Sequence, residues 1–342
     1  MVAIPNAGIS VQDLIDAKIE ELFKDEKPRP HMGISMIGHP CERWMWLSFR
    51  WAVRESFKGR MLRLFRRGHE EEAKLIEWLE LIGVDFSAQQ SAVDFGSHVS
   101  GSADGVAEGG VPEAVKARHI VEFKTHSLKS FNEVSSKGVQ VAKPMHYAQM
   151  QGYMHGTPSC NRALYVAICK DDDRIHTQRI HYDKEFATKM VERAKRVALS
   201  DRMPEPLSAD PSWYQCKFCP AYKFCHEKEP TKYVNCRTCA FSTAEADSTW
   251  TCTRYDAKDI PVDFQHTGCD DHVIHPDMVP WNSEPSDKEW TLIYLIDGAR
   301  IENGSPDANV FASSEILANA HGCTNDTVQE IRKLWDGAKV VR

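Results

Sequence analysis

The sequence predicts an α/β fold, a mixed central sheet flanked by helices, from three observations. Apolar spacing alternates between the helical and the strand period through the first two thirds of the chain, in the order helix, helix, strands, helix, strands, helix. The 342 residues exceed one compact domain, and with 42% apolar and 27% charged residues they have the composition of a folded protein. The eleven cysteines are unevenly placed, seven of them between 216 and 269 and grouped in CxxC pairs. In a reducing compartment that grouping reads as metal ligation rather than disulfides.

No stretch approaches the ~18 uninterrupted apolar residues of a membrane helix. The opening MVAIPNAGIS lacks the basic and apolar regions of a signal peptide, so no membrane association and a cytoplasmic location are expected. A net charge of -7 gives no support for non-specific nucleic-acid binding by the whole molecule. Its distribution matters more. From Arg43 to Arg67 eight basic residues face one acidic residue, interleaved with Trp44, Trp46, Phe49, Trp51 and Phe57, which leaves -14 for the rest. Arginines there suit phosphates and aromatics suit unpaired bases. The same spacing also makes Trp44, Leu47 and Trp51 a core stripe whose arginines face water.

Residues 10 to 24 read as an amphipathic helix, with Ser10 as N-cap and Val11, Leu14, Ile15, Ile19, Leu22 and Phe23 as its apolar stripe. KDEKPRPHMG breaks it. A second helical region covers roughly 41 to 66, and a third starts near Gly68 and ends before Gly83. SAVDFGSHVSGSADGVAE and ARHIVEFKTH are strand-like, joined by GGVPEAVK. PMHYAQMQGYMHG reads as a helix, ALYVAICKDDDRIHTQRIHY as a hairpin around Asp171 to Asp173, and about 184 to 199 as a helix. Beyond Pro204 the texture becomes loop-rich, and residues 231 to 280 hold too few aliphatic residues for a core of their own. The last sixty residues recover patterning: a hairpin through Asn303-Gly304 in EWTLIYLIDGARIENGS, then helices in SSEILANA and NDTVQEIRKLW.

In HIVEFKTH, Glu122 and Lys124 share one face of a strand while Val121 and Phe123 take the other. Asp104, beside two glycines in VSGSADGV, offers a second acid on a neighbouring strand-like segment. Two carboxylates and an ammonium at one sheet end suit metal-assisted phosphodiester hydrolysis: oxygen ligands for Mg²⁺ or Mn²⁺, and a cation to position water or offset developing charge.

Asp104 followed by Glu122-Phe123-Lys124 resembles the D…ExK signature of the PD-(D/E)XK nuclease superfamily, in its RecB-like and phage-exonuclease branch. The likeness extends, in family order, to Ser35, Cys41 and Arg43 upstream, to Gly68 with Glu72, and to Gln149 with Tyr153 in YAQMQGYM. It covers roughly residues 30 to 230. The resemblance implies that Asp104, Glu122 and Glu72 bind Mg²⁺ or Mn²⁺, with the Phe123 carbonyl as a further ligand. It also implies that Lys124 assists the attacking water and that Gln149 and Tyr153 orient the site. Helical periodicity alone does not choose between Glu71 and Glu72; the family spacing chooses Glu72. Glu70, Glu71 and Glu72 also complement the positive end of a helix dipole. His69 stays open between ligand, DNA contact and surface residue. Arg66 and Arg67, next to this site, and Arg43, near Cys41, are the DNA-binding candidates.

Cys216, Cys219 and Cys225 form a C-x2-C-x5-C set that needs a fourth ligand, for which His226 or Cys41 is available. RecB-like nucleases of the iron-sulfur type are similar in this layout, which implies a [4Fe-4S] cluster on Cys41, Cys216, Cys219 and Cys225. Spacing alone leaves zinc open. Cys236, Cys239, Cys252 and Cys269 resemble a zinc ribbon, which explains how a segment poor in aliphatics folds, although His266, His272 and His275 compete for the fourth position. Cys160, Cys169 and Cys323 read as small core residues.

The expected organisation is a nuclease domain over 1-230, a four-cysteine zinc module over 231-282 and a small α+β region over 283-342. The expected function is that of a divalent-metal-dependent DNA exonuclease in phage-type recombination, replication or repair. It would act on single strands or duplex ends beside a single-strand-annealing or replication protein, in a host's cytoplasm if phage-encoded. The alternatives are a structure-specific or nicking endonuclease, and a non-catalytic metal-stabilised nucleic-acid-binding adaptor.

Overall fold

The computed structural model describes residues 8, 10–86, 88–89, 91–335 and 337–340, the side chains of 88 and 89 excepted. The signal-peptide reading concerns residues that lie largely outside this set. Helix α1 (Val11–Leu22) begins where expected: Ser10 accepts from the Asp13 amide, and the Asp13 carboxylate returns to the Ser10 amide. Its apolar stripe is not a core face, however, because Val11, Leu14 and Leu22 are exposed and no residue of α1 is buried. After β1 (Met32–Gly33) the basic and aromatic stretch divides differently from expectation. Helix α2 (Glu42–Phe49) stops at Arg50, since Trp51 takes a positive φ of 55°. Helix α3 (Gly59–Leu81) then runs through Gly68 without a break. A lone glycine costs a helix only about 1 kcal/mol, and a Cβ at Gly68 would meet no atom within 4 Å. Trp44, Trp46, Phe49 and Trp51 are all buried, so the core reading of these aromatics holds for them and not for exposed Phe57.

The segment from 88 to 107 feeds two sheets. Strands β2 (Ala88–Gln89) and β5 (Gly105–Ala107) join the main sheet, whereas β3 (Ala92–Asp94) pairs with β4 (Val99–Ser102) and β4 with β1 in a smaller one. The main sheet continues with β6 (His119–His126), β7 (Arg162–Cys169) and β8 (Ile175–His181) in the order β2-β5-β6-β7-β8. Its β6 and β7 pair in parallel and its other neighbours antiparallel, which makes it mixed. The β6–β7 crossover carries α4 (Leu128–Lys137), a helix absent from the sequence-based expectation, then α5 (Val139–Ala142) and α6 (Pro144–Gly156). Helix α7 (Lys184–Ala198) follows β8. Val121, Phe123, Leu164 and Val166 cover one face of the sheet against Leu75 of α3; Ile120, Tyr165 and Ala167 face Met150, Tyr153 and Val191 on the other.

Next come α8 (Tyr214–Lys217), α9 (Tyr222–His226), the hairpin of β9 (Ser242–Ala244) and β10 (Trp250–Cys252), and α10 (Val262–Thr267). Ala244, Trp250, Ile260 and Met278 lie in the same cluster as Trp46 and Phe49, so the aliphatic-poor segment borrows the core of the preceding region. Buried Arg237 is the pin: its guanidinium donates to Gln265 Oε1 (2.9 Å), the Phe49 carbonyl (2.9 Å) and the Pro30 carbonyl (2.8 Å). It also lies over the Trp51 ring at 3.8 Å.

The C-terminal part is a four-stranded sheet of β11 (Asn282–Pro285), β12 (Leu292–Ile296), β13 (Ala299–Asn303) and β14 (Val310–Phe311), with α11 (Ser313–Cys323) and α12 (Asp326–Leu334). The hairpin turns at Asp297-Gly298, both at positive φ, and not at Asn303-Gly304. Asn303 is instead a buried bridge whose side chain accepts from the Ile274 amide and donates to the Phe311 carbonyl. Among the described residues no helix is long and apolar enough to cross a membrane.

Candidate active site

Antiparallel pairing of Gly105 with Val121 brings Asp104, the residue before β5, beside the Glu122-Phe123 step of β6. The Phe123 amide donates to Asp104 Oδ2 at 2.9 Å, which fixes the aspartate in register with the strand. Glu122 is fully buried and bonded by Lys124; its Oε2 has no partner. Burial raises the Glu122 carboxyl to about 7 against an ordinary 4.5; Lys124 opposes the shift and Asp104 adds to it. Burial works to lower the Lys124 ammonium, but Glu122, Asp104 and Glu72 outweigh it and raise the pKa. Four charged groups from three separate elements therefore act on one another.

Asp104, Lys124 and Glu72 line a cavity of about 740 Å³ between α3 and the sheet, and Glu122 lies behind Lys124. Glu72 is half-buried and raised first by burial, then by Asp104, whereas Glu71 pairs with Lys74 at 3.3 Å. The structure thus separates the two glutamates that helical periodicity could not. Gly68 and His69 also face the cavity. Tyr153 sits one turn from Gln149 in α6, hydrogen-bonded to it, and donates to the Ser102 carbonyl at 2.7 Å, two residues before Asp104. Burial and then Glu122 raise the Tyr153 phenol.

Of the three arginines, Arg66 lines the cavity while pairing with Glu70 at 3.1 Å. Arg67 donates to the carbonyl of Lys170, itself a lining residue. Arg43 stands elsewhere: it donates to the Pro204 carbonyl at 2.8 Å and bonds Cys225. Arg29 and Lys170, which sequence reasoning missed, face the cavity from loops whose positions no periodicity records. Also missed was a buried relay behind Lys124, in which the Tyr165 hydroxyl meets His126 Nε2 (2.7 Å) and His146 Nδ1 (2.9 Å). Burial first, then the nearby lysines, hold His126 near 4 and His146 near 3, so both rings are neutral at physiological pH.

Cys41, Cys216, Cys219 and Cys225 line one small pocket with Trp44 and His226. Burial and the neighbouring thiols raise Cys219 to about 11. Cys236, Cys239, Cys252 and Cys269 also act on one another; burial and the other three raise Cys236 to about 12. The competing histidines are engaged elsewhere: His266 stacks on Trp51 at 3.9 Å, His272 bonds Thr238 and Ser313, and His275 bonds the Asp201 carbonyl. Among the described residues no three Cys, His, Asp or Glu side chains stand as a closed metal-ligand set. The donor chemistry nevertheless fits: an unpartnered buried carboxylate oxygen among like charges suits a hard cation, and grouped thiols that disfavour one another's ionisation suit a thiophilic metal.

The model of the PD-(D/E)XK nuclease superfamily matches residues 3–226, and the chain belongs to that superfamily. Among curated proteins none matches the sequence. Among solved structures, SSO0001 is similar at 19% identity and a TM-score of 0.37, over 63% of this chain and 94% of that one. The alkaline exonuclease LHK-Exo from Laribacter hongkongensis, in complex with dAMP, is 13% identical with a TM-score of 0.34, over 55% and 90%. A phage-related exonuclease from Haemophilus somnus 129PT is 20% identical with a TM-score of 0.28, over 44% and 79%.

Proposed function

We propose that this nuclease is a divalent-metal-dependent deoxyribonuclease that removes nucleotides from DNA ends. The reading rests on Asp104, Glu72 and Lys124 lining one cavity, with Glu122 bonded to Lys124 and its Oε2 buried and unpartnered. Asp104, Glu122 and Glu72 would hold Mg²⁺ or Mn²⁺, which when bound polarises the scissile phosphate and lowers the pKa of a water. Asp104 is held for this by the Phe123 amide. Lys124 places an ammonium at the cavity wall to orient the attacking water. Gln149 and Tyr153 brace the strand that delivers Asp104.

In this reading Cys41, Cys216, Cys219 and Cys225 carry a [4Fe-4S] cluster that ties the start of the nuclease region to its end, and Cys236, Cys239, Cys252 and Cys269 carry zinc. The chain divides at about 230 and 282, and the enzyme serves recombination, replication or repair in the cytoplasm, with an annealing or replication protein as partner. The test is digestion of linear and circular DNA with Mg²⁺ and with chelator. Linear DNA is degraded, circles survive, and Glu122→Ala and Lys124→Ala each lose at least about a hundredfold in rate. A folded variant as active as the parent overturns the centre, and cleaved circles overturn the exonuclease reading in favour of an endonuclease.

A further inference from the structure

Three phenylalanines, Phe23, Phe57 and Phe65, line the cavity and remain 43%, 38% and 41% exposed. Phe57 and Phe65 meet edge to face at 4.8 Å. They come from three segments: the end of α1, the loop before α3, and α3 itself. Cations stand around them, with Arg29, Arg66, Lys124 and Lys170 lining the same cavity. The same lining holds the acids Glu26, Glu72 and Asp104. Large apolar rings left in water beside these cations have a use if a flat apolar partner stacks on them, and unpaired bases are such partners.

The segment that carries Phe23 is anchored on both sides. Helix α1 crosses α3 so closely that a Cβ at Gly59 would lie 2.6 Å from Asp16 Cα. Asp16 pairs with Arg63, and Glu20 accepts from the Gly59 amide at 2.8 Å. Beyond α1 the chain lines the cavity with Phe23, Glu26 and Arg29. It is tied down where Trp51 Nε1 donates to the Arg29 carbonyl (2.9 Å) and Arg237 to the Pro30 carbonyl. Exposed rings and cations at one cavity of about 740 Å³ suit a single strand, whose bases are free to stack, better than a duplex, whose bases are stacked on one another.

We propose that the site takes a single DNA strand, with Phe57 and Phe65 stacking on its unpaired bases and Arg29, Arg66 and Lys170 holding its phosphates. This names the substrate form and specificity residues of the nuclease reading above, and rests on it. Its test is kept apart by measuring binding without cleavage, by fluorescence anisotropy in Ca²⁺ with labelled oligonucleotides. The parent is expected to bind a single strand at least roughly tenfold more tightly than a blunt duplex of the same sequence. It is also expected to lose roughly tenfold on a strand of equal length whose bases are removed. Phe57→Ala with Phe65→Ala should bind intact and abasic strands alike, with an unchanged melting temperature, and Phe65→Trp should restore the preference for bases. Equal affinity of the parent for intact and abasic strands, or for strand and duplex, overturns the proposal even if the protein digests DNA. The base preference without any digestion would leave the proposal standing and overturn the hydrolytic reading.

Discussion

Two buried charges, Glu122 in the central sheet and Arg237 in the cysteine-rich segment, are treated in opposite ways. Each nitrogen of the Arg237 guanidinium meets an acceptor: Gln265, the Phe49 carbonyl and the Pro30 carbonyl. Burial, then Arg50, pulls its pKa down to about 8, and the aromatic rings of Trp51, Trp250 and Phe49 offset part of that cost. Glu122 keeps one oxygen unpartnered and its carboxyl raised. A buried charge with all its partners inside the chain holds the fold together. One left short by an atom is waiting for something the chain does not supply.

The contrast predicts that the two residues fail differently. Arg237→Met, which keeps much of the volume but strands three acceptors, should lower stability by about 3 to 5 kcal/mol and the melting temperature by roughly 10 °C. A melt unchanged from the parent would show that the guanidinium does not brace the cysteine-rich segment. Glu122→Gln should do the reverse in metal-free protein. A folded carboxyl near 7 against an unfolded 4.5 means the native state holds a proton that the unfolded chain has released. The associated stability is full below about 4.5 and is lost as pH rises through about 7, by an amount of order 3 kcal/mol. At pH 8 the Gln variant should therefore melt above the parent, and its melt should lack the parent's fall between those values. Mg²⁺ should restore the parent's stability increasingly from pH 6 to pH 8 and leave the variant unmoved, because only the ionised carboxylate binds the cation. The smallest effect concerns the thiols. Cys41→Ser should cost iron and the visible absorption band, and Cys236→Ser should cost zinc, both read by elemental analysis of the purified chain. Loss of neither metal would remove the cysteines from the comparison.

The sheet was legible because β6 to β8 carry period-two or continuous apolar patterns bounded by turn residues, and Asp104, Glu122 and Lys124 sit within or beside them. Helix α4 was missed because LKSFNEVSSK buries only Phe131 and Val134, too few to set a period by eye. The C-terminal turn was misplaced because Asn-Gly and Asp-Gly both signal a hairpin, and the side chain of Asn303 is occupied in holding Ile274 and Phe311. Arg43, also expected to bind DNA, stands away from the cavity for an equally tertiary reason: its partners, Pro204 and Cys225, lie more than a hundred residues away in sequence.

By itself, the sequence determined which chemistry was available: acids, an ammonium and thiols at spacings that local backbone geometry turns into shared faces and shared ends. Tertiary structure alone decided which of them meet. Packing of α3 on the sheet selected Glu72 over Glu71. The chain after α1 brought Phe23 to the cavity, where Phe57 and Phe65 also stay exposed, and a long-range arginine joined a cysteine-rich segment to the core. Periodicity records a residue's direction relative to its own element, and says nothing of what another element brings to that face.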